Sequence, residues 1–259
     1  MAPPDFTEAQ PARTARRTRQ HIWSDDQAAS ISLAGFVSFV LLSMAWLLIA
    51  EQNARLRNGL PFDGSSGLVL FGAAIVSLIA FGGSIYVIGV RQHPLAWRAV
   101  GIRRTSFGWV AVSLALGVFF VPVSVTLSLI MQESLTGEPM QPNRPAPTFE
   151  QVPLAEFALV FVGIAVIVPL AEELFFRGML FQWLRTRTNL PVAVGVSAVV
   201  FGAVHLSIPS LLSLAIVGVF CALVYEYSGS IWNATIIHAA NNAVVVIVYY
   251  FVFNTPVVI

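Results

Sequence analysis

Long apolar runs separated by short polar stretches dominate the chain. Seven stand out, roughly 29–50, 67–90, 108–131, 157–184, 191–207, 210–227 and 231–253. A bilayer core of about 30 Å is crossed by about 20 residues of helix at about 1.5 Å each. The pattern therefore predicts an all-α, polytopic membrane protein with about seven transmembrane helices. The tightest boundary lies in "LSIPS", where Pro209 falls just inside the following helix.

The polar stretches orient these helices. With the N-terminus inside, inner segments hold Arg13, Arg16, Arg17, Arg19, Arg91, Arg98, Arg103, Arg104, Arg185 and Arg187, whereas outer ones hold Arg55, Arg57 and Arg144. Such a bias predicts a cytoplasmic N-terminus and, with an odd number of spans, an outside C-terminus. The first apolar run is too long for a signal-peptide core and lacks a small-residue cleavage site after it, so it is expected to stay as the first span. Four regions follow: a basic segment 1–28, three helices over 29–131, a polar, Pro-rich outer loop 132–152 that serves as a linker, and a four-helix region 153–259. No internal repeat of the kind found in many transporters is visible.

Composition agrees with the pattern. Hydrophobic residues make up 57% of the 259 residues and charged ones 10%, with a mean hydropathy of +0.79. A soluble domain carries about 25% charged residues. The basic set is all arginine and the net charge is +1, with no clustered basic face for a nucleic acid. The one cysteine, Cys221, sits in an apolar run and is expected to be a packing residue. Tyr225, Glu226 and Tyr227 are expected to form an interfacial belt at the inner end of the sixth span.

Against this background "PLAEELFFRGML", residues 169–180, is unusual: it keeps Glu172, Glu173 and Arg177 within an apolar segment. Ionisable groups inside a span are costly and usually face a cavity where they act. Glu173 and Arg177, four apart with the acid first, are placed to pair on one helix face. Glu172 points about 100° away from Glu173, so it is not the natural partner of Arg177. Two further spans pair side chains one turn apart, Phe201 with His205 and His238 with Asn242. His21 and His93 fall in loops beside arginines and have a solvated or interfacial reading.

Depth links these clusters. Counted from the inner helix ends, Glu172 lies ~18 Å deep, His205 ~21 Å, His238 ~12 Å and Asn242 ~18 Å. Three independently bounded helices thus bring polar residues to within about two turns of one level. A glutamate and a histidine can activate water, and a second histidine and an asparagine can donate to an oxyanion. The same two histidines and a glutamate could instead hold zinc, with ligands drawn from three spans because no His-Glu-x-x-His occurs.

The blocks Glu172-Glu173-Leu-Phe-Phe-Arg177, Phe201-Gly-Ala-Val-His205 and His238-Ala-Ala-Asn-Asn242 occur in order on hydrophobic helices. In this they resemble the type II CAAX prenyl endopeptidases and their prokaryotic relatives, the CAAX protease and bacteriocin self-immunity (Abi, or CPBP) membrane proteins. The resemblance covers roughly 153–253. It implies an intramembrane endopeptidase in which Glu172 and His205 activate water while His238 and Asn242 stabilise the oxyanion. Glu173 belongs to the same catalytic set, with Arg177 and Phe201 in support, and the family name implies a metalloprotease, although a metal-free glutamate mechanism is also held for the eukaryotic enzymes. The implied partner is a peptide or lipid-anchored protein, and the all-arginine basic set of a short seven-span chain points to a prokaryotic inner membrane. Two other readings of the same residues stand beside it: a non-catalytic immunity or scaffold protein that binds a peptide, and a proton-coupled transporter.

Overall fold

The computed structural model describes residues 23–58, 67–92, 96–137 and 153–253, which are helical apart from short turns. The arginines expected at 13, 16, 17, 19 and 144, His21, His93 and most of the predicted 132–152 loop lie outside the described residues. The helices are α1 (Asp25–Asn58), α2 (Gly67–Gly89), the short α3 (Ala96–Ala99), α4 (Phe107–Thr136), α5 (Leu154–Arg187), α6 (Leu190–Ala203), α7 (Ile208–Ser228) and α8 (Ile231–Phe253).

Six of these are long and apolar enough to cross a membrane, and the chain is a polytopic all-α membrane protein. The expected count of seven changes at α6, which has 14 residues. It spans only about 21 Å, short of a hydrocarbon core of about 30 Å. The helix predicted over 191–207 stops at Ala203, because the backbone leaves the helical pattern at Val204 and His205. Other limits also shift. The first helix begins at Asp25, inside the segment expected to be a separate basic tail, and α4 continues through Thr136.

Local signals set several of these ends. Ser106 Oγ accepts from the Trp109 N–H to start α4, and Asn189 Oδ1 accepts from Val192 N–H to start α6. Pro209 occupies the first turn of α7, while Gly229, with φ 68°, closes that helix in a left-handed cap. α5 is not uniform. Its segments Gly163–Ile167 and Phe176–Phe181 widen into π-helical turns on either side of the two glutamates. Single π turns within α-helices are frequent at functional sites because they re-aim side chains and loosen backbone pairing.

α5 is the central element, with α2 on one side and α8 on another. α4 packs on α7 and α8, and α6 on α7. Small residues allow that last approach: a Cβ on Gly202 would stand 2.6 Å from Leu211 O, and one on Gly218 3.1 Å from Ala198 Cα. α1 is peripheral. It contributes Phe36, which meets Phe81 and Phe175 edge-on at 5.7 and 5.2 Å, and leaves Leu33, Leu41 and Leu48 exposed.

Candidate active site

α5, α8 and the turn after α6 bring three ionisable side chains together. Glu172 Oε1 lies 3.9 Å from His205 Nε2, and its Oε2 lies 3.8 Å from His238 Nε2. Glu172 thus stands between two imidazoles delivered by different elements. His205 occupies the turn after α6 rather than a helix interior, with its side chain 29% exposed, against 14% for Glu172 and 3% for His238. The site opens on the His205 side.

Glu173 lies behind this group, fully buried. Arg177 Nη1 donates to Glu173 Oε1 at 2.9 Å, and Arg177 Nη2 donates to Gly218 O at 3.0 Å. The guanidinium also covers the Phe201 ring, 4.6 Å from its centroid, a contact strengthened by burial. Glu173 Oε1 accepts from His238 Nδ1 at 3.1 Å. Since a carboxylate accepts, Nδ1 carries that hydrogen, leaving Nε2 directed at Glu172. Phe201 meets the rings of His205 and His238 edge-on, at 5.1 and 5.4 Å. It wedges both imidazoles in place.

Asn242 has a more structural setting than the sequence suggests. Its Nδ2 donates to Ile164 O at 3.0 Å, across to the first π turn of α5. That bond satisfies a carbonyl freed by the widened turn and uses one of the two amide hydrogens.

Several partners were hidden in the sequence. Neither the Gly218 nor the Ile164 carbonyl has a side chain to advertise it, although Gly218 and Ala222 at small-x-x-x-small spacing signal a close helix contact. Tyr225 does not belong to an interfacial belt. It is 3% exposed, and its hydroxyl is hydrogen-bonded to Gln182, which also donates to Ala99 O. Glu226 accepts from Arg185 at 3.2 Å. Cys221 is buried and donates to Ala234 O at 3.6 Å.

A zinc ion would hold its ligands about 2.0–2.2 Å away, which leaves neighbouring tetrahedral ligands about 3.3–3.6 Å apart. Glu172 stands slightly farther than that from each imidazole nitrogen. Among the described residues no three His, Cys, Asp or Glu side chains are grouped to hold a metal ion. The residues as placed do not form a zinc cage.

Residues 154–244, which contain all three motif blocks, match the family model of the Type II CAAX prenyl endopeptidase Rce1-like proteins. The resemblance drawn from the blocks therefore holds at family level over that region. The chain is also 33% identical over 89 residues to a Bacillus subtilis (strain 168) protein named "Putative membrane peptidase YdiL". That match takes in 34% of this chain and 36% of the relative, about a third of its length. No solved structure matches the chain significantly.

Proposed function

We propose that this protein is an intramembrane endopeptidase whose nucleophile is a water molecule activated by Glu172 and His205. The observation that carries the reading is the position of the Glu172 carboxylate, 3.9 and 3.8 Å from imidazole nitrogens on two other elements. The family match over 154–244 supports peptide-bond hydrolysis as the chemistry.

The residues divide the work as follows. Glu172 accepts a proton from water as the oxygen adds to the scissile carbonyl carbon. The oxyanion receives hydrogen bonds from a protonated His238 Nε2 and from the second amide hydrogen of Asn242. Glu172 then passes its proton to the departing amine as the C–N bond breaks. Glu173 and Arg177 touch no reacting atom in this scheme; they orient His238. The proposed substrate is a peptide or protein held at the membrane by a prenyl or other lipid anchor and cut near that anchor. The proposed setting is a prokaryotic inner membrane, with the N-terminus cytoplasmic.

The test uses the full chain in lipid nanodiscs with fluorogenic membrane peptides, prenylated and unprenylated. Cleavage should fall at least about 100-fold in Glu172→Ala and in His205→Ala. Equal turnover in wild type and both variants would falsify the assignment. Equal cleavage of prenylated and unprenylated peptides would remove the lipid-anchor specificity alone.

A further inference from the structure

We infer that the left-handed turn at Leu206 is a positioning device, ending α6 so that the His205 ring caps the helix through Nδ1–H and presents a bare Nε2 to Glu172. Val204 still donates to Val200 O at 3.1 Å, four residues back as in an α-helix. The next two donors change step: His205 N–H turns to Gly202 O at 3.4 Å and Leu206 N–H to Ala203 O at 3.1 Å, three residues back. The Phe201 carbonyl, which a continuing helix would have given to His205 N–H, is left over. The His205 ring takes it, with Nδ1 2.8 Å from Phe201 O. A carbonyl oxygen only accepts, so Nδ1 carries the hydrogen and Nε2 of the neutral ring does not.

Leu206 follows immediately with φ 53°, alone in having positive φ among the described non-glycine residues. Leucine seldom adopts this backbone, and such residues persist where their surroundings over-determine them, often at active sites. The Leu206 side chain is 92% exposed, so its own packing does not hold the turn. The reversal from α6 into α7, the two three-residue bonds and the ring cap hold it.

The purpose of the device rests on the proteolytic reading; its geometry does not. Around Glu172 stand His205 and His238, with Glu173 and Arg177 behind them. A carboxylate and a bare Nε2 are both acceptors, and two neighbouring acceptors suit a molecule that donates twice, as water does. One hydrogen goes to Glu172 during attack and the other points at His205 Nε2. With the opposite tautomer, Nε2 would carry a hydrogen and could not accept from water, so one of the two acceptors would be lost. His205 meets the water; Leu206 acts through His205.

The test is a ¹⁵N-histidine NMR experiment on the full chain in nanodiscs at alkaline pH. His205→Gln and His238→Gln variants assign the two site histidines. Wild-type His205 should show the Nδ1–H coupling pattern. Leu206→Gly, free to adopt a left-handed backbone, should keep it. Leu206→Ile, whose β-branch resists that backbone, should give mixed tautomers at His205 with His238 unmoved. Its kcat should fall about 10-fold relative to Leu206→Gly, with KM little changed. An Nε2–H tautomer in wild-type His205 overturns the inference, and so does a Leu206→Ile protein with the wild-type pattern. Should Leu206→Ile not fold, the wild-type spectrum alone decides. Nδ1–H at His205 in a protein that cleaves no peptide would uphold the positioning and overturn only the proteolytic reading.

Discussion

Glu173 and Arg177 are both fully buried, and each is the other's charge partner. Such a pair contributes little net stability, yet removing one member leaves an uncompensated charge. Arg177→Ala should therefore destabilise the protein by about 3–5 kcal/mol, measured by thermal unfolding in one fixed detergent. Glu173→Gln should cost a comparable amount, because Arg177 then stays charged and buried without its carboxylate, even though the amide oxygen can still accept from it. A loss below about 1 kcal/mol in either variant would contradict this account. The pairing was legible at the residue scale, since four-residue spacing with the acid first is a local rule. Placing Glu173 beneath His238 was not legible, because that contact links residues 65 positions apart.

At the scale of elements, two glycines set the distance between α6 and α7. A Cβ at Gly202 would meet the Leu211 carbonyl at 2.6 Å, and one at Gly218 would come within 3.2 Å of Arg177 Nη2. A backbone oxygen cannot move aside as a side chain can. Gly202→Val should cost about 1–3 kcal/mol through overpacking and should shift His205, three residues later, away from Glu172. Unfolding curves and the His205 tautomer spectrum check both effects; an unchanged variant would mean that the helices are not this close. The apolar runs made the helices legible, but their interior geometry stayed hidden. Periodicity assumes 3.6 residues per turn, so it carries no sign of the π turns flanking Glu172 and Glu173. It also merged the short α6 with the turn that follows, since Val204 and Leu206 are as apolar as the helix before them.

For the whole molecule, the arginine bias supplies an orientation that can be measured. Cys221 is the chain's one cysteine, so Cys221→Ser gives a cysteine-free background for reporters at the exposed Arg103 and Glu133. An impermeant maleimide should label Glu133→Cys in intact cells and Arg103→Cys only after lysis; the reverse pattern would invert the proposed topology. Residues 154–244, matched by the family, supply all the motif residues. α1, α2 and α4 were legible only as generic membrane helices, although α2 packs on α5, and α4 on α7 and α8.

The exposed rim beside His205 has a kinetic consequence. Leu206 and Ile208 are 92% and 65% exposed, and the turn that carries Leu206 lies about 21 Å along α6 from its start. With α6 starting at the inner boundary of a hydrocarbon layer of about 30 Å, such a greasy doorway would face lipid tails. For the proposed reaction, supply would then follow two-dimensional diffusion and the substrate's mole fraction in the bilayer. Adding inert lipid would dilute the substrate and slow turnover even while its concentration in the tube stayed constant.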